Sequence, residues 1–340
     1  MTKPSAHILV VRLSAMGDVA MTIPLLLNLV ERFPSVKITV VTQHMFAAIF
    51  SSIENVTVHP AEIRGKHKGI LGLRRLAQEL NDISYTHIAD LHDVIRTKLL
   101  GMFLENRPKA VIDKGRAQKK TLVQSNTKIL KQLKPTHQRY ADVFQTLGFK
   151  LSLDPTFLSK QKLSKRIIQL TGSQQKKWIG IAPFAAHAGK QYSLDLLKVV
   201  VRELIERDYS IFLFGASTEA NTLSRLKEGD TVIIVAGELT FPEELALISN
   251  LDLMISMDSG NGHLAANYNV PVITLWGVTH PYAGFTPFAQ PFEHQLLSDR
   301  ETYPAIPTSI YGNKYPTGYE NAINTITPAM LIEKVEEVLG

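Results

Sequence analysis

The feature that most constrains the fold is a pattern of short apolar runs that alternate with amphipathic stretches, and this pattern occurs twice. In the first half the runs cover residues 7–13, 37–42, 56–59, 87–91 and 109–112. After a polar, lysine-rich stretch at 159–177 they return at 178–183, 210–214, 231–236, 251–256 and 270–276. Such alternation predicts parallel sheets with helices on both faces and ligands beyond the carboxyl ends of the strands. We therefore expect an α/β protein with two doubly wound domains that face a cleft.

A glycine-rich turn lies between the last two of these runs. It reads Asp258, Ser259, Gly260, Asn261, Gly262, His263. Glycines let backbone N–H groups approach a ligand closely, and the short helix expected after the turn directs its positive end toward that ligand. The arrangement suits a phosphate or diphosphate. The alternative is a tight strand-to-helix turn in which Asp258 or Ser259 only caps the helix.

Another glycine turn follows the first apolar run. It reads Ser14, Ala15, Met16, Gly17, Asp18. A helix is predicted from about residue 19 to residue 32, with Pro24 inside it. The turn delivers a carboxylate to the end of a strand. Asp18 also suits the N-cap position of the following helix.

Composition narrows the class of protein. The 340 residues are 45% hydrophobic and 20% charged, enough to bury the cores of two domains. No apolar run approaches the roughly 20 residues that span a bilayer, and the N-terminal run is too short for a secretory signal, so we expect a cytoplasmic protein. The chain has no cysteine, which excludes disulfides, thiolate catalysis and cysteine-ligated metals. The absence of GxGxxG after the first run disfavours a dinucleotide, and the absence of HExxH disfavours a metal site.

Positive charge is concentrated between residues 113 and 139, where the only acid is Asp113. The bases of this segment are Lys114, Arg116, Lys119, Lys120, Lys128, Lys131, Lys134 and Arg139. Their long-range field suits an anionic membrane surface or an acidic acceptor molecule. A solvated basic face without a partner is the alternative. The segment has no aromatic stacking platform, which argues against nucleic acid.

The C-terminal part is predicted as a long loop followed by one helix. Residues 300–319 are rich in Pro, Tyr, Gly and Thr. Thr327 is a suitable N-cap and Pro328 a suitable first helical residue, so a helix is expected to about Leu339. We predict domains at 1–165 and 166–325, and a final helix at 326–340 that packs back on the first domain.

Five motifs spread over nearly the whole chain carry a family resemblance. They are Arg12-Leu13-Ser14-Ala15-Met16-Gly17-Asp18 with Pro24-Leu25-Leu26; Asp90-Leu91-His92 with Arg96; Lys190; Phe214-Gly215 with Glu219; and Asp258-Ser259-Gly260 with His263-Leu264-Ala265-Ala266. In order and spacing the chain resembles glycosyltransferase family 9, the ADP-heptose:lipopolysaccharide heptosyltransferase family. The resemblance implies a GT-B fold of two Rossmann-like domains, which agrees with the repeated strand pattern.

The resemblance implies an inverting glycosyltransferase that moves a heptose-like sugar from a nucleotide-diphosphate donor, expected to be ADP-heptose, to a lipopolysaccharide core acceptor. It implies Asp18 as the catalytic base and Lys190 as a catalytic cation on the diphosphate. The donor-binding residues it implies are Lys190, Glu219, Leu239, Asp258, Ser259, Gly260, Asn261, Gly262 and His263. The nucleotide-sugar is a co-substrate, and no metal or other cofactor is expected.

Some donor-side residues have structural alternatives. Glu219, expected on the ribose, also suits a helix start, and Leu239, expected beside the adenine, also suits the core. Asp258 either orients the turn or contacts the donor sugar. The loop at 185–189 lacks the hydroxyl residues of the family, so its phosphate contacts must come from the backbone. Asn261-Gly262 replaces the bulkier pair usual in the family, and we expect this to open the pocket and to relax or change donor choice.

On the acceptor side, the residues expected to bind an acidic acceptor or the membrane surface are Arg96, Lys114, Arg116, Lys119 and Lys120. We therefore expect the protein to be cytoplasmic and peripheral on the inner face of the inner membrane. A competing role for Arg96 is a structural ion pair with Asp90 or Asp93. Two other function classes stay open: a sugar-nucleotide epimerase, which can share the GT-B fold, and a catalytically silent homologue that binds a nucleotide-sugar.

Overall fold

The structure, a computed structural model, describes residues 6–124, 130–172 and 174–340. The regular elements up to residue 158 are β1 (His7–Val11), α1 (Met16–Ala20), α2 (Ile23–Arg32), β2 (Lys37–Thr42), β3 (Val56–Pro60), α3 (Gly69–Asn81), β4 (His87–Asp90), α4 (Ile95–Phe103), β5 (Lys109–Val111), α5 (Arg116–Gln124) and α6 (Thr136–Thr146). The later elements are α7 (Lys165–Thr171), β6 (Trp178–Ala182), α8 (Leu194–Glu206), β7 (Ser210–Leu213), α9 (Ala220–Leu223), β8 (Val232–Ile234), α10 (Phe241–Ile248), β9 (Leu253–Met257), α11 (Gly260–Asn267), β10 (Val272–Trp276), β11 (Gln295–Leu297) and α12 (Pro328–Leu339). Each predicted apolar run contains a strand; among the strands described, β11 alone has no predicted run.

The chain divides into two compact units, each with one parallel sheet. The first unit comprises Met1–Lys114 and Thr136–Leu158, and the second comprises Gly115–Pro135 and Ser159–Gly340. The sheet of the first unit has the order β3-β2-β1-β4-β5, and that of the second has the order β8-β7-β6-β9-β10-β11. If the strands of each unit are numbered from its own first strand, both sheets have the order 3-2-1-4-5. The second sheet has a sixth strand beside its fifth. This is the doubly wound arrangement, so the predicted repeat of one architecture is confirmed.

Helices on the faces of each sheet explain why the strands read as continuous apolar runs. In the first unit Leu9 of β1 packs in one core with Leu76 and Leu80 of α3. In the second, Ile255 of β9 shares a core with Val200 of α8. Each such side chain contributes about 1.5–3 kcal/mol when it is fully buried. The apolar spacing of the sequence therefore fixes which face of each element points inward.

The single helix predicted at 19–32 is instead two helices, since α1 ends at Ala20 and α2 begins at Ile23. Pro24 has no N–H to donate to the carbonyl four residues earlier, and its ring crowds that carbonyl, so a continuous helix is excluded. Pro24 lies in the first turn of α2, where a missing N–H costs no hydrogen bond. Asp18 consequently lies in a helix of only five residues.

The segment 115–135, which we expected in the first domain, belongs to the second unit. The backbone N–H of Leu133 donates to the carbonyl of Tyr282 over 3.0 Å. The ammonium of Lys119 lies 4.0 Å from the centre of the Phe285 ring. These contacts bind the segment to residues that follow β10. Lys128 lies outside the described residues.

The final helix begins and ends where the sequence predicts. Thr327 is its N-cap, and the side-chain oxygen of Thr327 accepts a hydrogen bond of 3.2 Å from the N–H of Met330. The expectation that this helix packs on the first domain is corrected, because Leu331 and Val335 lie in the core of the second unit, which also contains residues of α8. The cap depends on nearby residues, whereas the surface that α12 covers depends on the tertiary fold.

Candidate active site

Both units place their motif residues at equivalent points of the sheet. In the first unit β1 and β4 are neighbours, and Asp18 and His92 follow them. In the second unit β6 and β9 are neighbours, and Lys190 and Asp258 follow them. At these points the strand order reverses, and doubly wound sheets bind ligands beyond the carboxyl ends of the two strands concerned.

Lys190 and Asp258, which are 68 residues apart, form one polar pair. The ammonium of Lys190 donates a 2.6 Å hydrogen bond to the backbone carbonyl of Asp258. The same nitrogen lies 3.4 Å from Oδ2 of Asp258, and the two side chains are only 13% and 9% exposed. A cation held in so little water interacts strongly with a nearby anion. The predicted phosphate-binding lysine is therefore fixed beside the predicted glycine turn.

Two glycines and a threonine that sequence reasoning missed hold this pair in place. Gly312 has a φ of +80°, and a Cβ there would lie 2.4 Å from Cγ of Lys190, so only glycine lets the lysine stem pass. The carbonyl of Gly189 accepts a 2.9 Å hydrogen bond from the N–H of Val278. Thr279 donates a 3.1 Å hydrogen bond to Oδ2 of Asp258. The side chain of Asp258 is thus engaged by Lys190 and Thr279, and both roles considered for it stay predictions.

The first residues of α11 are less buried than those that follow. Ser259 is the N-cap, yet its hydroxyl makes no cap hydrogen bond and instead lies 3.1 Å from the hydroxyl of Ser256. Gly260 and Asn261 are half-buried, whereas Gly262 and His263 are buried. A Cβ at Gly262 would come within 3.3 Å of the Ser256 hydroxyl, so the helix approaches β9 closely. The interpretation that Ser259 only caps the helix is wrong for its side chain.

In the first unit Asp18 forms an ion pair with Arg12. Ala15 is the N-cap of α1, and Oδ2 of Asp18 accepts a 3.3 Å hydrogen bond from the N–H of Ala15. Asp18 is thus in the first turn of α1 and is not its N-cap. The side chain of Arg12 is 5% exposed and that of Asp18 is 31% exposed. The carboxylate faces solvent while its cationic partner is buried.

Buried groups form hydrogen bonds with both residues of this ion pair. Arg12 donates a 2.7 Å hydrogen bond to the carbonyl of Leu91, and Tyr140 donates a 3.1 Å hydrogen bond to the carbonyl of Asp18. Burial, assisted by the charge of Arg12, lowers the pKa of His92 to about 3, so its ring stays neutral. The ring accepts a 3.4 Å hydrogen bond from the N–H of Leu13. In the sequence, the feature that marks Arg12 is a charged residue inside an apolar run.

Comparison with known proteins decides the family of the chain. The sequence model of glycosyltransferase family 9 (heptosyltransferase) matches residues 73–311. The chain belongs to glycosyltransferase family 9. It is therefore a glycosyltransferase, and the resemblance noted in the sequence is confirmed. The epimerase interpretation loses its support.

Relatives and solved structures agree with this family. The chain is 23% identical to the lipopolysaccharide core heptosyltransferase OpsX of Haemophilus influenzae over 292 residues, which is 82% of this chain and 81% of that protein. Its fold is similar to that of a family 9 glycosyltransferase from Veillonella parvula, with a TM-score of 0.77, 19% identity, and coverage of 100% of this chain and 98% of that chain. The E. coli heptosyltransferase WaaC, solved with ADP, gives a TM-score of 0.70 at 21% identity and covers 98% and 99% of the two chains. The GT-B fold class is confirmed.

The remaining donor-side residues of this family member have structural partners. Oε2 of Glu219 accepts a 2.6 Å hydrogen bond from the N–H of Ala216, at the start of a short 3-10 helix. This is the helix-start role considered for Glu219. Leu239 is buried. Their assignments to ribose and adenine stay predictions.

The expected acceptor-side bases are divided between the units. Arg96 and Lys114 lie in the first unit, whereas Arg116, Lys119 and Lys120 lie on α5 in the second. Lys119 is buried beneath the Phe285 ring and is no part of a solvated face. Asp93 pairs with Lys98 over 3.3 Å, and the structural ion pair considered for Arg96 stays a prediction. Asp90 accepts hydrogen bonds of 2.9 and 3.0 Å from the N–H groups of His92 and Asp93.

The described residues also bear on metal binding and membrane insertion. Within residues 6–124, 130–172 and 174–340, no group of three or more His, Asp or Glu side chains is arranged to hold a metal ion. Over the same residues, no helix combines the length and apolar character needed to cross a bilayer.

Proposed function

We propose that this protein is an inverting heptosyltransferase that transfers heptose from ADP-heptose to a lipopolysaccharide core acceptor at the inner face of the inner membrane. The observation that carries the proposal is the fixed ammonium of Lys190 beside the start of α11, at the switch point of the second sheet. The names of its relatives suggest heptose and lipopolysaccharide. The structure of E. coli WaaC with ADP suggests the nucleotide.

Lys190 supplies the positive charge that the departing diphosphate needs. An ammonium has three N–H groups, and the carbonyl and carboxylate of Asp258 engage two, which leaves one for a phosphate oxygen. Because Asp258 already holds the ammonium, little reorganisation is required as negative charge develops on ADP. N–H groups of Gly260 and Asn261 at the start of α11 provide further donors.

Other donor contacts follow from the same placement. The backbone of residues 185–189, just before Lys190, faces the diphosphate in place of side-chain hydroxyls. Ser259, Gly262 and His263 complete the wall of the phosphate site. In this proposal the second carboxylate oxygen of Glu219 binds the ribose, and Leu239 packs beside the adenine.

Asp18 is the catalytic base of the proposal. Its carboxylate takes the proton of the acceptor hydroxyl as that oxygen forms a bond to the anomeric carbon. The bond from the anomeric carbon to the diphosphate oxygen breaks, and its electron pair leaves with ADP. Attack from the face opposite the leaving group inverts the configuration. The ion pair with Arg12 and the hydrogen bond to Ala15 orient the carboxylate for this step.

Basic side chains serve the acidic acceptor in this proposal. In this proposal the exposed side chains of Arg96, Arg116 and Lys120 and the half-buried side chain of Lys114 contact acceptor phosphates. Lys119 acts differently, because its packing on Phe285 attaches α5 to the second unit.

The donor assignment is tested by thermal unfolding with ADP, UDP, GDP and CDP. A ligand that binds only the folded state raises the unfolding temperature, so ADP alone should give a shift. Lys190→Ala should abolish that shift, whereas Lys227→Ala, at an exposed position of the same unit, should preserve it. A shift with another nucleotide would replace ADP in the proposal. No shift with any nucleotide would favour the silent homologue.

A further inference from the structure

The start of α3 exposes two large aliphatic side chains. Ile70 is 61% exposed and Leu71 is 81% exposed. The opposite face of α3 is buried through Gly72, Leu73, Leu76, Ala77 and Leu80. Ile70 and Leu71 therefore contribute little to the core of the first unit. Adjacent exposed apolar side chains are a feature of surfaces that contact a membrane or another protein when charged residues surround them.

Basic side chains surround this pair. From residue 63 to residue 78 the chain contains no acid. The exposed bases of this stretch that have no ion pair to any described residue are Arg64, Lys68, Arg74 and Arg75. Positions three and four residues apart lie on one helix face, so Arg74 and Arg75 lie one turn after Ile70 and Leu71.

The loop that leads into α3 is held firmly, so the arrangement is built into the fold. His67 is fully buried, its Nδ1 accepts a 3.0 Å hydrogen bond from the N–H of Glu62, and its Nε2 lies 3.2 Å from Oε1 of Glu79. His59 lies 3.1 Å from the other carboxylate oxygen of Glu79. A Cβ at Gly72 would lie 2.3 Å from the carbonyl carbon of His67, so glycine allows the loop to pack directly on the helix.

We propose that the α3 surface, defined as Arg64, Lys68, Ile70, Leu71, Arg74 and Arg75, docks this protein on an anionic lipid bilayer. Ile70 and Leu71 enter the boundary between headgroups and acyl chains, and the four bases contact lipid phosphates. Interfacial helices combine apolar and basic side chains in this way. The docking takes its purpose from the proposed function, because a lipopolysaccharide acceptor is anchored in a membrane.

A bilayer fits this surface better than a protein partner does. A stable protein interface buries about 800 Å² on each side and concentrates aromatic residues at its centre. The α3 surface has two aliphatic side chains and no aromatic one. In the basic segment at 113–139, our first expectation for a membrane contact, no large apolar side chain is exposed among the residues that the structure describes, 113–124 and 130–139.

Insertion is measured by fluorescence of Leu71→Trp with vesicles of phosphatidylcholine alone or mixed with phosphatidylglycerol. Both native tryptophans, Trp178 and Trp276, are buried, so the added indole gives the signal that changes. Its emission should shift to the blue and be quenched by brominated acyl chains in the anionic vesicles only. Ile168→Trp is a matched control, since Ile168 is an exposed aliphatic residue beside Lys165 and Arg166 on α7. Equal quenching of both variants, or quenching of neither, would overturn the proposal.

Cosedimentation with the same vesicles tests the natural side chains. Ile70→Ser with Leu71→Ser should reduce partition about tenfold through loss of apolar burial. Arg74→Glu with Arg75→Glu should abolish the preference for anionic vesicles, and Lys160→Glu with Lys162→Glu should leave it intact. Unchanged partition of the serine variant would show that Ile70 and Leu71 do not insert. Thermal unfolding shows that each variant is folded.

Transfer assays distinguish this proposal from the proposed function. The serine variant should transfer sugar to a deacylated, water-soluble acceptor at the wild-type rate and be slower only with acceptor embedded in vesicles. If the wild-type protein modifies neither acceptor, the proposed function is wrong. The vesicle-binding measurements then still show whether the α3 surface docks on a bilayer. Equal loss on both acceptors would mean that α3 acts in the reaction and would overturn a docking role.

Discussion

The two polar pairs at the switch points differ in which partner is buried. In the second unit both Lys190 and Asp258 are nearly sealed from water. In the first unit only Arg12 is sealed, and Asp18 projects toward solvent. The difference fits the two halves of the proposed reaction. A group that stabilises charge on the diphosphate works best when preorganised and dry, whereas a base must reach a proton on an incoming acceptor.

The partners that support the pairs also differ. Lys190 and Asp258 rely on loop groups, with Gly312 beside the lysine stem and Thr279 on the carboxylate. Asp18 and Arg12 rely on the strand end at Leu91 and on Tyr140 of α6. A substitution should therefore affect donor binding in one unit and proton transfer in the other.

The largest effect is expected at Asp18. Asp18→Asn removes the base, so kcat should fall roughly 100- to 10,000-fold, the usual contribution of a general base. The thermal shift with ADP should persist, because the donor-side pair is untouched.

Loss of Asp18 also leaves Arg12 buried without its carboxylate, which can destabilise the first unit. The double variant Asp18→Asn with Arg12→Gln removes both charges and separates stability from catalysis. Wild-type kcat in either folded variant would remove Asp18 from the mechanism.

A smaller loss is expected at Lys190. Lys190→Met keeps the aliphatic stem beside Gly312 and removes the charge, so kcat should fall about 100- to 1,000-fold, as for loss of one oxyanion donor. The ADP-dependent shift in unfolding temperature should disappear with it. Lys190→Arg, which restores charge with a different shape, should recover part of both. If Lys190→Met binds ADP normally, the ammonium does not contact the diphosphate.

Gly312 tests whether the position of the lysine matters as much as its charge. In Gly312→Ala the added Cβ would meet Cγ of Lys190 at 2.4 Å, so KM for the donor should rise about tenfold, as for a displaced binding group. Gly318→Ala is the matched control, because Gly318 also has a positive φ, +89°, but open space around its Cβ. Both variants should lose about 1–2 kcal/mol of stability from the left-handed backbone. The same rise in KM in Gly318→Ala would mean that backbone strain, and not displacement of Lys190, weakens donor binding.

The smallest effect concerns the neutral histidine beside the acceptor-side pair. The pKa of His92 is about 3 in the folded state and near 6.5 when the chain is unfolded, so the unfolded state binds the extra proton first as pH falls. Stability from this site is complete above pH 6.5 and is lost toward pH 3. Between pH 6.5 and pH 5 the loss should be about 2 kcal/mol in urea unfolding.

The control is His92→Gln, which keeps an acceptor for the N–H of Leu13 but cannot titrate. It should flatten the pH dependence without abolishing it, because burial also lowers the pKa of His280 to about 4 in the second unit. An unchanged slope in this variant would assign the acid sensitivity to other groups.

Predictions that rest on local sequence were confirmed where a short-range rule decides the structure. The ten apolar runs all contain strands, because burial on both faces requires continuous apolar residues. The bounds of α12 follow from Thr327 and Pro328, which act on their own helix. The same kind of rule failed at 19–32, where the effect of Pro24 on the preceding helix was underestimated.

The sequence by itself determined the doubly wound fold class and the repeat of its two units, since strand period is local. Turn chemistry indicated Asp18 and Asp258 as candidate residues, and the family resemblance indicated Lys190. The tertiary structure alone decided which of these residues meet. The contact of Lys190 with Asp258 spans 68 residues, and that of Tyr140 with Asp18 spans 122. It also decided that Lys119 is buried and that α12 packs in the second unit. Such contacts depend on strand order and on the space left by glycines such as Gly312, and no short stretch of sequence contains either.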